Sequence, residues 1–448
     1  MYSVSDNNNK SFIAGLFLLL AGLVTGSAAH AMEELSDDQL SDVIGQALFV
    51  SNSQSQGGFD FTSVALDVEM EINTNISQLQ LGCGGINGPG ICDIDIDDFS
   101  LTGDPAGACG PDRVNCSAIL TRPFIEFAIK NNGSRTLREV VGFRLSAENM
   151  QGLVTAGQNT NSPNGINRLS GYVEVAPTSG TATTQPGVFG TQPDEQINTL
   201  ADLNIAACTS GCGSGRPLYS LPGSSAGLNI PSVSAPFTIP AFTIYGNRLE
   251  SVSVNASAAI PNITLTQPSA GTLAMELATP ACVLYLVCIS ETELRPDAVV
   301  AGLSADITFD EDLGFIHKLP INNPFSLSFQ KENLQWPGAT ETSLRGWWMS
   351  FQDPVDFGEL NPAEQVDISS AYPQLAVLMG DTLAQPANRV TVTTGDGLES
   401  LFSGGISKDL GTLNLTGQTV FLNLSDLALD SSQDVVSNCR GGGSTCFF

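Results

Sequence analysis

Ten cysteines fall along the chain in five close pairs: Cys83/Cys92, Cys109/Cys116, Cys208/Cys212, Cys282/Cys288 and Cys439/Cys446. Spacing alone leaves their connectivity open. Each pair flanks a Gly-, Asn- or Ser-rich turn or a short apolar segment, so nearest-neighbour disulfides are the expectation. Loops this short stabilise by roughly 2–3 kcal/mol each in the chain-entropy model. The alternative is metal binding, but the spacings match no zinc pattern, and thiolates left unpaired outside the cytosol oxidise. A chain stapled this way is built from local turns in an oxidising compartment.

The N-terminus agrees with export. Lys10 supplies a positive start, residues 12–24 form an apolar run, and Ala29-His30-Ala31 is a small-x-small cleavage site. The run is shorter than the ~20 apolar residues of a membrane span. Residues 1–31 are therefore expected to leave as a signal peptide, with no integral span in the mature chain. Cleavage removes His30, so His317 becomes the sole histidine, which starves most hydrolase and transition-metal mechanisms of parts. With 46 acids against 17 bases the formal net charge is −29, which excludes nucleic-acid or anionic-lipid binding through a basic surface.

Residues 32–50 carry an amphipathic helix motif, ELSDDQLSDVIGQA over 34–47. Ser36 and Gln39 make a capping box, Leu35 and Leu40 a hydrophobic staple, and Gly45 a C-terminal stop. Beyond it the period changes to two. Asp67, Glu69 and Glu71 alternate with Val68, Met70 and Ile72, and Asp93, Asp95 and Asp97 with Ile94 and Ile96. A hairpin across GCGGINGPGIC, held by Cys83–Cys92, sets Asp95 opposite Gln80 and Asp97 opposite Gln78. Ile94 and Ile96 then lie beside Leu81 and Leu79 on the buried face, and Asp97-Asp98 marks a bulge.

Further strands are expected at 124–129, 140–145, 171–175, 237–245, 251–254, 263–266, 305–309, 325–329 and 390–393. LNLTGQTVFL at 413–422 reads as a hairpin turning on Gly417-Gln418, with Leu415 against Val420 and Leu413 against Leu422. The fold class is all-β: an extended antiparallel sheet or sandwich with a short N-terminal helix. Its first β-rich part spans 51–150, a Gly/Ser/Pro-rich loop region 151–235, and a second β-rich part 236–448.

Four features could carry chemistry. GSSAG at 223–227 matches G-x-S-x-G with Ser225 as the serine, but Pro231 and Pro236 forbid the helix that motif needs. Asp93, Asp95 and Asp97 share a strand face and form a calcium candidate; a solvated polar face is the structural alternative. His317, among apolar residues, reads as a hydrogen-bonded structural side chain. Trp347 and Trp348 could present a binding surface for a glycan, or anchor packing.

Four stretches taken together resemble one family. They are LSDDQLSDVIGQALFVSN, LQLGCGGINGPGICDIDIDDFSLTG, DITFDEDLGFIHKLPINNPFSLSFQKENLQWPG and GWWMSF. They are similar to the Fil-type pilus-system surface proteins of gram-negative bacteria and cover about a third of the mature chain. The resemblance implies export to the periplasm, cell surface or medium, and a role in a pilus or filament system. It brings no catalytic residues. The expectation is a non-enzymatic structural or assembly component without cofactor, whose partners are other proteins of that system or copies of itself. Two alternatives stand beside it: an adhesin or ligand-binding module using Trp347 and Trp348, and an exported hydrolase using Ser225 and His317.

Overall fold

The computed structural model describes residues 49–448 except 85–87, 104–116, 159–163, 221–226, 267–272, 285–286, 322–323, 404, 426, 431–437, 440–445 and 448. The expected signal peptide, its Ala29 and Ala31 cleavage site and the 34–47 helix all lie outside the described residues. So do Cys109, Cys116 and Ser225.

Period-two alternation becomes strand at most of the expected positions, and the all-β class holds; the strand expected at 237–245 is instead two, Ser234–Ile239 and Phe242–Leu249, broken at Pro240 and placed in different sheets. The acidic hairpin forms as Thr74–Leu81 against Ile94–Thr102, pairing Gln80 with Asp95, Gln78 with Asp97, Leu79 with Ile96 and Leu81 with Ile94. Ile94 and Ile96 are buried, and Cys83–Cys92 closes the turn. The irregularity expected at Asp97-Asp98 falls on the other side of the strand. Asp98 takes a positive φ of 46°, and the register against Ile166–Val175 shifts between Asp95 and Ile96.

These strands belong to a 12-stranded sheet that begins with Phe49–Gln56, Phe59–Leu66 and Ala118–Lys130. Its hub is Glu139–Thr155, 17 residues long. One part of the hub pairs with Phe325–Gln330, and its last residues pair with Ile94–Thr102. Gly346–Phe351 and Ile166–Val175 complete the circuit. Five strands thereby close into a hydrogen-bonded ring. Gly171 permits the one parallel contact in it, because a Cβ there would fall on the Met349 carbonyl.

The second part of the fold is a stack of chain passes, each crossing from one sheet to the other at a corner. Thr178–Thr183 turns into Gly187–Phe189, Leu228–Ile230 into Ser234–Ile239, and Ser251–Ala259 into Ile263–Leu265. Val287–Ala301 then turns into Ser304–Asp312, and Ile406–Asn414 into Thr419–Leu424. The order of passes is the same in both layers. Backbone bonds tie neighbouring corners: Thr184 N–H to Val233 O (2.9 Å), Ile260 N–H to Leu303 O (2.9 Å) and Leu415 N–H to Ala301 O (2.8 Å). Between the layers lie buried Phe189, Ile230, Leu265, Val300 and Leu413 from one side, with Phe237, Ala256, Phe309, Val420 and Leu422 from the other.

This arrangement corrects the 413–422 hairpin. Its two strands do not pair with each other. Ile406–Asn414 runs parallel to Val287–Ala301, and Thr419–Leu424 parallel to Ser304–Asp312. Leu413, Leu415, Val420 and Leu422 are all buried. Alternation satisfies a hairpin and an arch equally; an arch faces the apolar residues across a core instead of side by side on one surface.

The 151–235 region is corrected too. It is strand-bearing, with Ile166–Val175, Thr178–Thr183, Asn198–Asn204, Gly213–Ser220 and Leu228–Ile230 among its elements. Its Ser, Thr and Gly alternate with small or apolar residues such as Ala201, Leu203 and Leu218 that reach the core. Low hydrophobicity here marks thin strands, not loop.

Cys208–Cys212 and Cys282–Cys288 are bonded as nearest neighbours. Cys282 and Cys288 also face each other in register. Cys439 and Cys446 are register partners across Asn438–Cys439 and Cys446–Phe447; their side chains lie outside the described residues. Among the described residues two α-helices interrupt the strands, α1 (Tyr372–Ala384) and α2 (Thr394–Ser403). No helix of the described residues is long and apolar enough to cross a membrane.

A candidate strand-docking edge

The calcium candidate comes apart in three dimensions. Asp93 is buried, ion-paired to Arg248 Nη1 at 3.0 Å, and accepts the Trp347 N–H at 3.1 Å. Asp95 accepts from Gln80 Nε2 at 3.1 Å and Asp97 from Asn167 Nδ2 at 2.8 Å. Partners from four strands relieve the repulsion that a cation would have relieved. Among the described residues no three His, Cys, Asp or Glu side chains gather as a metal site.

Trp347 and Trp348 also depart from the binding-surface expectation. Trp348 is 0% exposed and meets Tyr245 edge-on at 5.5 Å. Trp347 is wedged between Phe143 and Phe329, at 5.6 and 5.5 Å. Both anchor packing. His317 Nδ1 lies 2.9 Å from Ala156 O, and the Ala156 N–H donates back to His317 O. Its ring is thus tied to a strand end.

Sequence reading missed a buried polar row. Glu126, Arg144, Ser328 and Trp348 are successive cross-strand partners over four strands, and all are buried. The 331–345 segment lies against this face, with Leu334 and Trp336 buried there. Arg144 Nη2 donates to Glu126 Oε2 (2.6 Å) and Pro337 O (3.0 Å), and its guanidinium stacks on Trp336 at 5.4 Å. Burial pushes the Glu126 carboxyl above its usual range, more than Arg144 pulls it down. Burial likewise lowers Arg144, countered by Glu126. Ser350 Oγ donating to Glu341 (2.5 Å) and Tyr245 Oη to Thr342 O (3.0 Å) fasten the same segment. The row braces the sheet. The small apolar cavity of ≈ 10 Å³ among Leu218, Met275, Ile289, Val390 and Ile406 is water-sized.

The sheet edges are treated unequally. Thr419–Leu424 is closed by a side chain: Gln374 donates to Phe421 O (2.7 Å) and accepts its N–H (2.8 Å). Thr178–Thr183 is covered by 358–366, through Leu360 N–H to Ser179 O (3.0 Å), Thr181 N–H to Asn361 Oδ1 (2.8 Å) and Val366 N–H to Thr183 O (2.9 Å). Among the described residues, Phe49–Gln56 has neither. It pairs with Phe59–Leu66 on one side and ends the sheet on the other. Seven of its eight residues are exposed. Its sequence, FVSNSQSQ, holds no charge, Pro or Gly, so it lacks the usual devices that keep an edge from pairing.

A signal for this strand was present. Gly57-Gly58, both at positive φ (61° and 87°), makes the two-residue turn that joins Gln56 to Phe59, as Gly-Gly between strand-forming runs announces. The polar run SNSQSQ masked it, because neither face of that strand is apolar.

No family model, curated protein or solved structure matches the chain.

Proposed function

We propose that this protein is an exported, non-enzymatic structural or assembly component of a pilus or filament system, and that it joins its neighbours by strand addition. The observation that carries this reading is the exposed, uncharged Phe49–Gln56 edge, uncovered among the described residues, on a chain that guards two other edges. An unpaired strand offers a ready row of N–H and C=O groups to an incoming strand. Three local disulfides and the ring of strands support a mechanical role. The adhesin alternative loses support with Trp348 fully buried.

The test is complementation of a deletion strain with Asn52→Lys/Ser53→Lys, scored for surface filaments by electron microscopy. Loss of filaments with normal secreted levels is expected. Normal filaments from this variant overturn the reading.

A further inference from the structure

We propose that the Phe49–Gln56 edge is occupied by the same strand of a second copy, antiparallel, about a two-fold axis near Ser53. This rests on the strand-addition reading and names its partner.

Charge selects the partner. The chain carries net −29, so most surfaces repel a like copy, and like charges set opposite each other destabilise a pair. Within Phe49–Gln56 any register opposes only neutral residues. The other end of the same sheet, Thr74–Leu81, follows Glu69 and Glu71 and is backed by Asp95 and Asp97. That strand is itself uncharged, but a like copy paired there lies over two carboxylates on the strand behind, Asp95 and Asp97, against the single Asp60 behind Phe49–Gln56.

Direction follows from the preceding segment. Residues 32–48 contain Glu33, Glu34, Asp37, Asp38 and Asp42 and no base. Parallel pairing would bring two such segments together. Antiparallel pairing starts them at opposite ends of an eight-residue strand, about 27 Å apart at ~3.4 Å per residue. That exceeds a Debye length of about 8 Å.

The pleat supplies complementarity. Val50, Asn52, Gln54 and Gln56 share the face of Ala65 and Phe61, while Ser51, Ser53 and Ser55 share that of Val64, Thr62 and Asp60. Pairing Ser53 with its own copy sets Asn52 opposite Gln54 and Ser51 opposite Ser55. Carboxamides then meet carboxamides, each able to donate and accept. The isologous contact closes as a dimer.

Sedimentation velocity on the full-length mature chain tests this. A concentration-dependent dimer is expected, at least tenfold weakened in Ser53→Lys with an unchanged thermal melt. Ser53→Cys should cross-link to its own copy under mild oxidation, whereas Gln56→Cys should not. A chain that stays monomeric at all concentrations overturns self-pairing, as does a dimer untouched by Ser53→Lys. A monomeric chain whose Asn52→Lys/Ser53→Lys variant still loses filaments would sink self-pairing alone and keep strand addition to a different partner. Normal filaments from that variant would sink both.

Discussion

Gln374 stands in for a strand. Its carboxamide meets both the N–H and the C=O of Phe421, at 2.8 and 2.7 Å, from α1. One side chain thus completes the edge that a neighbouring chain would otherwise complete, while Phe421 keeps its ring 62% exposed on the sheet face.

Gln374→Ala should therefore do two things. The two lost bonds lower stability by about 1–2 kcal/mol, read by urea unfolding. The opened edge, with Phe421 beside it, should raise concentration-dependent aggregation by light scattering. A variant that loses stability without aggregating would show that Gln374 only braces α1.

Arg144→Met leaves the Glu126 carboxyl buried without the counter-charge that pulls it down. Breaking one half of such a pair costs about 3–5 kcal/mol, whereas Glu126→Leu/Arg144→Met should recover most of it. The pH dependence has a definite sign. The folded carboxyl titrates above its ordinary 4.5, so its contribution is full below that value and is lost as pH rises through the raised value. Denaturation midpoints of the wild type should carry a component that falls upward from about pH 4.5 and is absent in the Leu/Met pair.

Asp396 has the opposite sign. Burial raises its carboxyl, but bonds from Lys408 and Thr393 outweigh that and hold it below 3.8. Its stabilisation is present above pH 3.8 and disappears on acidification through the lowered value. Lys408→Met should flatten this acid limb in the same titration.

Glu311 is 0% exposed, and its two carboxylate oxygens receive the N–H groups of Leu427 and Leu429 at 3.0 and 2.9 Å. Glu311→Ala strands both donors and should cost about 2–3 kcal/mol. Limited proteolysis should then release the segment after Leu424 first. Unchanged cleavage would mean that the short pairing of Asn361–Pro362 with Leu429–Asp430 suffices to hold it.

Leu415→Ala tests the arch. In a surface hairpin the change would be mild. At a buried corner (1% exposed) it should cost about 2–5 kcal/mol by calorimetry.

Particular residues show what could be read in advance. The Gln80–Asp95 register was legible because alternation and the Cys83–Cys92 bond agree on it, and a one-residue slip would expose Ile94 and Ile96. The pairing of 413–422 was not, since the same alternation serves two topologies and only contacts with 287–312 decide between them. Asp93 looked like one of three equivalent acids until Arg248, distant in sequence, arrived beside it. Trp348 could be read as binding surface or as packing anchor, and only neighbours distant in sequence, Tyr245 among them, decide for the core. The Phe49–Gln56 edge was half legible: Gly57-Gly58 announces the turn, and nothing in SNSQSQ announces that the strand ends its sheet with seven residues exposed.

The ring of strands also sets a timetable. Ser146 reaches Phe325 O across 179 positions of chain, so Glu139–Thr155 must wait for partners made much later. Hairpins such as Phe49–Leu66 can form at once, but the circuit closes only after residue 351 has appeared. Nonlocal closure of this kind is slow. Because Gly346–Phe351 supplies the last link of the circuit, a chain truncated before Gly346 should lack its central ring.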